Sequence, residues 1–151
     1  MNKKKIFFLV NSMEWGWAEK VIKNIIESSS HKFDITLITL KKESFYKTPN
    51  NITHIYLSNI KNNIIMAVMM PYFIYKFKRI YKNFDSWVSF LEISNFINIL
   101  SNKNAFISFR TNINFFQWFI GYVYKLLIKN LYPKAKRIIV NCQENKFSLQ
   151  K

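Results

Sequence analysis

Short, strongly apolar runs alternate along the chain with stretches in which apolar residues recur every three or four positions, a pattern that predicts strands and helices in turn. Ile6–Val10, after Lys3-Lys4-Lys5, is β-branched and aromatic, too short for a buried helix and suited to an inner parallel strand. From Ala18 to Ser30, Ala18, Val21, Ile22, Ile25 and Ile26 share one helical face, with Glu19, Lys20, Lys23 and Glu27 largely opposite. Ser12 or Asn11 is expected to cap that helix. Phe33–Leu40 reads as a second strand, Lys41–Asn51 with Pro49 as a loop, and Ile52–Leu57 as an alternating third strand. Ile64–Phe84 predicts one long helix, because Met66, Met69, Met70, Phe73, Phe77, Ile80, Tyr81 and Phe84 fall within about 120° of one another. Its other side carries Lys76, Lys78, Arg79 and Lys82, and Pro71 marks either a kink or a junction of two shorter pieces. Ser86–Leu91, Ala105–Phe109 and Arg137–Asn141 complete six strands; helices are expected over Glu92–Ser101 and Ile113–Tyr132, with another starting at Gln143. Such alternation implies a doubly wound α/β fold, a mostly parallel six-stranded sheet with right-handed crossovers.

Composition narrows the partners. In 151 residues, 23 Lys and Arg against 8 acidic residues leave a net charge of +15, which favours phosphate groups or an anionic lipid surface. The usual nucleic-acid signatures are missing, so no nucleic-acid partner is expected. A lone Cys142 allows no internal disulfide and suits a reducing compartment, where a single thiol usually packs. No secretory signal is visible, and the uncharged runs Ile64–Tyr75 and Thr111–Tyr124 fall short of the roughly 20 residues a bilayer requires. A place inside the cell is expected. The aromatic crowding of Ile113–Tyr132, with Lys125 and Lys129 toward one end, fits an interfacial helix or one covered by a second domain.

Familiar catalytic patterns are lacking. The stretch after the first strand, Asn11-Ser12-Met13-Glu14-Trp15-Gly16, offers one glycine where a dinucleotide fingerprint needs three. His31 and His54 have no ligand-spaced neighbours, so no metal is expected. What remains is a set of polar residues following strands: Asn11, Ser12 and Gly16; Ser89 and Glu92; Arg110 and Asn112; Asn141 and Glu144. In a wound sheet these gather at the carboxyl edge, where ligands bind. Ser and Asn at such places are also ordinary helix caps, whereas Arg110 is suited to gripping phosphate or carboxylate.

In order and spacing these residues resemble the amino-terminal domain of family-4 glycosyltransferases of the two-domain GT-B architecture. Lys5-Ile6-Phe7-Phe8-Leu9-Val10 followed by Gly16-Trp17-Ala18-Glu19-Lys20-Val21 is similar to that family's first strand and its Gly-Gly-Ala-Glu-Arg-Val helix start. Asp34–Leu40 resembles its second strand, Val88-Ser89-Phe90-Leu91 with Asn95 its fourth, and Ile107–Asn112 its Ser-x-Arg-Asn segment. Tyr132-Pro133-Lys134-Ala135 leading to Arg137–Asn141 resembles the strand before its Ser-Glu dipeptide. This chain departs from the pattern where Trp15 and Trp17 flank Gly16, and where Cys142-Gln143 replaces Ser-Glu.

The resemblance implies a retaining, metal-independent enzyme adding a hexose or N-acetylhexosamine from a UDP-sugar to a polyprenyl-diphosphate-linked or other lipid-linked glycan. Residues 1–151 would form one acceptor-binding domain, the nucleotide-sugar domain being absent, so that the chain is inactive alone unless another polypeptide completes it. No cofactor is expected, and a UDP-sugar only with that second domain. Ser12, Gly16, Glu19, Ser89, Asn95, Arg110 and Asn112 are the candidate acceptor and phosphate contacts. Lys76, Arg79 and Lys82 are the candidates for lipid headgroups, which places the protein peripherally at the inner face of the cell membrane. A non-catalytic basic α/β module binding a membrane surface or a protein partner is the alternative.

Overall fold

In the computed structural model, which describes residues 3–80, 83–110 and 118–143, the first apolar run becomes the inner strand β1 (Lys5–Val10). It pairs in parallel with β2 (Asp34–Lys41) on one side and β4 (Ser86–Phe90) on the other. Strand β3 (Thr53–Ser58) continues the sheet beyond β2, and β5 (Phe106–Phe109) and β6 (Arg137–Val140) continue it beyond β4. The order β3-β2-β1-β4-β5-β6, parallel throughout, is that of a Rossmann-like doubly wound sheet. Phe7–Val10 and Ile35–Lys41 are buried without interruption, as strands covered on both faces must be, whereas edge strands β3 and β6 keep exposed positions.

Helix α1 (Trp17–Ser29) lays Ile22 and Ile26 on Phe8, Val10 and Leu37 on one face of the sheet. The opposite face packs Phe7, Leu9, Ile38, Leu40 and Trp87 under α2 (Asn63–Val68), α3 (Met70–Ile80) and α4 (Glu92–Ser101). Phe7 is central there, with ring centroids 4.6 Å from Trp87, 5.9 Å from Phe77 and 5.1 Å from Phe84. Helix α5 (Trp118–Leu131) closes the sheet's far end, where Ile128 and Leu131 meet Phe96, Ile107 and Phe109.

The long helix expected over Ile64–Phe84 is two helices meeting at Met69, with Pro71 in the first turn of α3, where a missing N–H costs no helical bond. Phe84 lies beyond α3, in the non-helical approach to β4. The apolar stripe still faces inward, Met66, Phe73 and Phe77 being fully buried. After α5 the chain tightens into a 3-10 turn at Tyr132–Lys134, where Pro133 stands. Cys142 is exposed instead of packed. Lys82, Asn112, Glu144 and nearly all of the helix expected from Gln143 lie outside the described residues.

Candidate functional site

Parallel register fixes what meets at the carboxyl edge. Leu9 is level with Ser89 and Ser89 with Ile107, so the chain leaves β1, β4 and β5 at neighbouring heights, at Asn11, Leu91 and Arg110. Strand order reverses between β1 and β4, and the crevice above that switch point is where wound sheets bind ligands. Ser94, in the first turn of α4, donates to Asn11 Oδ1 at 2.7 Å and so ties the two turns across the switch. The β4–α4 turn is abrupt. Leu91 adopts φ 70 and ψ 155, a region that disfavours residues with a Cβ by about 1–3 kcal/mol and that clusters near binding sites.

The turn after β1 does not cap α1 through Ser12 or Asn11. Met13 N donates to Glu43 O at 3.2 Å, and Met13 O accepts from Phe45 N at 2.7 Å and Tyr46 N at 3.1 Å. Pinned in this way to the segment after β2, the turn runs on to Gly16, which is the N-cap of α1 and makes no side-chain cap bond. Ser12 is buried. Glu19, 8% exposed, folds back over Gly16, so closely that a Cβ built on Gly16 lies 3.0 Å from its Cδ. The pair has the spacing of a capping box whose first member is glycine. Burial pushes the Glu19 carboxyl above its ordinary value, and a hydrogen bond from its own backbone opposes that rise. Beside the turn, Glu14 is raised chiefly by its hydrogen bond with Glu43, which is itself held low by Glu14 and Lys61; Lys41 Nζ lies 3.9 Å from Glu14.

Ser89 and Asn95, expected as ligand contacts, are each 0% exposed and turned inward. Ser89 Oγ donates to Asn95 Oδ1 at 2.8 Å; Asn95 Nδ2 donates to Ser108 O at 3.1 Å and to Tyr132 Oη at 3.0 Å. Asn98, one turn on, donates to Ser89 Oγ at 3.0 Å and Phe106 O at 3.0 Å. These bonds hold α4 to β4, β5 and the 3-10 turn, so both residues position the mouth from beneath it. Burial, and after it the charge of Glu92, raises the Tyr132 phenol well above its ordinary range, keeping it neutral.

Arg110 stands where the sequence puts it, at the end of β5. Its Nε donates to Ser108 Oγ at 3.1 Å and its guanidinium lies 5.8 Å from the Phe90 ring centroid. That leaves the planar fork oriented, with one of its five donors engaged on Ser108 among the described residues. Burial lowers its pKa somewhat from the usual guanidinium value.

Next to this edge, α2, α4, α5 and the start of α3 border an apolar groove of about 710 Å³, lined by Ile64, Ala67, Met70, Ile93, Phe96 and Leu127 among others. Around the helices, Ile65, Val68, Tyr72, Tyr75, Tyr122 and Leu126 are exposed. On α3, Lys76 Nζ lies 5.9 Å from the Tyr72 ring centroid and Arg79 Nη1 donates to Tyr75 Oη at 3.1 Å, so both basic residues rest on exposed tyrosines. Among the described residues no helix is long and apolar enough to cross a membrane. Nor do three His, Cys, Asp or Glu side chains among them gather as a metal site.

No family model matches the chain. It is 27% identical, over 155 aligned positions, to a Campylobacter jejuni subsp. jejuni protein described as N-acetylgalactosamine-N,N'-diacetylbacillosaminyl-diphospho-undecaprenol 4-alpha-N-acetylgalactosaminyltransferase. The alignment covers 94% of this chain and 42% of that protein, so the chain spans less than half the relative's length. At this coarser level the similarity agrees with the glycosyltransferase-like relationship that the strand-end residues suggest.

Proposed function

We propose that this chain is the acceptor-binding part of a GT-B, family-4 type glycosyltransferase acting on a polyprenyl-diphosphate-linked glycan in surface-polysaccharide, lipopolysaccharide or protein-glycan assembly. A hexose or N-acetylhexosamine would come from a UDP-sugar held by a donor-binding half outside this chain. The chain binds the acceptor and lies peripherally at the inner face of the cell membrane. The acceptor that the relative's description names, a diphospho-undecaprenol glycan, supports the substrate class.

The observation that carries this reading is the arrangement of a half-buried, oriented Arg110 at the switch-point edge of the sheet, with an apolar groove bordering that edge. A polyprenyl diphosphate needs both: a fork of donors for its phosphate oxygens and an apolar bed for its chain. The amino-terminal ends of α1 and α4 face the same edge and add partial positive charge there. Gly16 and Glu19 stand at the opening, where the donor-side half would meet the acceptor. Asn112 is proposed to share the diphosphate with Arg110.

Flotation with anionic vesicles that do or do not contain a polyprenyl-diphosphate N-acetylhexosamine disaccharide tests the proposal. The chain is expected to bind the glycan-bearing vesicles more tightly, and Arg110→Ala to lose that preference by on the order of tenfold or more, the worth of a charge-assisted hydrogen bond. Equal binding to both vesicles, or a preference that Arg110→Ala leaves undiminished, would sink it.

A further inference from the structure

At the rim of the mouth the turn after β1 and the first residue of α1 leave two indoles open to water: Trp15 is 78% exposed and Trp17 82%. With Gly16, Lys20 and Tyr46 they line a cavity of about 270 Å³. The Trp15 ring centroid is 4.8 Å from that of Phe45, which meets the edge of Tyr46 at 5.3 Å, and Lys20 Nζ lies 5.6 Å from the Trp17 centroid. The backbone beneath is fixed by the bonds from Met13 to Glu43, Phe45 and Tyr46, so the rings are presented by a pinned turn. Large aromatic side chains left bare on a rigid support gain little from packing within the chain and offer preorganised contact area to a ligand.

The mixture of groups selects the ligand. A pyranose ring has a face of C–H bonds that stacks on an aromatic plane and a rim of hydroxyl and acetamido groups that hydrogen-bonds to a phenol, an ammonium and backbone amides. An alkyl chain has no use for Lys20 and Tyr46, and a diphosphate has none for two indoles. We propose that Trp15, Trp17 and Tyr46, with Lys20, form a stacking subsite for a sugar ring of the acceptor glycan, so that this turn reads the glycan while Arg110 holds the diphosphate. The inference rests on the reading of a lipid-linked glycan as acceptor. The family that the chain resembles has glycine around this position, so the subsite belongs to this chain's own sequence, at Trp15 and Trp17.

Three vesicle preparations separate the two ideas: plain anionic lipid, the same with bare polyprenyl diphosphate, and the same with the polyprenyl-diphosphate N-acetylhexosamine disaccharide. Wild-type chain is expected to rank them in that order of increasing affinity. Trp15→Ala with Trp17→Ala is expected to abolish the increment due to sugar, about tenfold, while leaving affinity for the bare diphosphate and the melting temperature unchanged. Wild-type chain that binds both diphosphate lipids equally, or a double variant that keeps the sugar increment, overturns the subsite and leaves the diphosphate site standing. If the double variant loses affinity for plain vesicles as well, the indoles enter the bilayer and the subsite is overturned. If wild type prefers neither diphosphate lipid to plain vesicles, the acceptor reading falls and the subsite with it.

Discussion

Replacing Asn95 by alanine is expected to lower the free energy of unfolding by about 4 kcal/mol, a large share of the 5–15 kcal/mol typical of a domain. The side chain is 0% exposed and joined to Ser89, the Ser108 carbonyl and Tyr132. Truncation leaves those groups buried without the amide, each deprived partner costing about 1–3 kcal/mol, and adds a small cavity. For a chain of this length the melting temperature should fall by roughly 8–16 °C. Urea unfolding should show a lower midpoint with an unchanged slope. Combining Asn95→Ala with Ser89→Ala should cost less than the sum of the two, because they share a bond. A loss below about 1 kcal/mol would mean that the network does not hold α4 to the sheet.

Reversing both Lys76 and Arg79 to Glu should weaken binding to anionic vesicles by on the order of a thousandfold at low salt. Each basic residue near such a surface contributes about 1 kcal/mol, and reversal replaces two attractions with two repulsions, about 4 kcal/mol in all. Both side chains lie on exposed tyrosines of α3, and at a bilayer such tyrosines would seat an apolar ring at the headgroup level while the charge met phosphate. Raising the salt concentration should shrink the difference as the charges are screened. Co-sedimentation against salt measures it. Salt-insensitive binding, or equal binding by the double variant, would remove the headgroup role.

The wound sheet was legible because its inner strands are buried on both faces and therefore read as unbroken β-branched and aromatic runs. Phe7–Val10 is wholly apolar, and the polar residues within Ile35–Leu40 are the β-branched Thr36 and Thr39. The division between α2 and α3 was half legible, since Pro71 interrupts the pattern without saying whether it kinks a helix or begins one. Ser89 and Asn95 looked like mouth residues because a serine or asparagine near a strand end has the same letter whether it points in or out. A signal for the inward orientation does exist. After Glu92 the polar positions of α4 are Ser94, Asn95, Asn98 and Ser101, all uncharged, in a chain whose solvated faces carry lysine. Asn98 and Ser94 were missed for the same reason. Leu91 could not have been found, since nothing about a leucine announces a positive φ. Capping by Ser12 or Asn11 failed because backbone bonds to the segment after β2 carry the turn past them to Gly16, a long-range pairing that no local pattern encodes.

The most direct measurement is a ¹H–¹⁵N correlation spectrum of the chain titrated with a water-soluble, short-chain prenyl-diphosphate N-acetylhexosamine. The carboxyl-edge mouth predicts that the largest shifts fall on Asn11–Lys20, on Leu91–Ser94 and on Arg110, three segments far apart in sequence and brought together by the order of the strands. Shifts confined to the opposite edge, around Lys5, Asp34 and Asp85, or to no common surface, would contradict it.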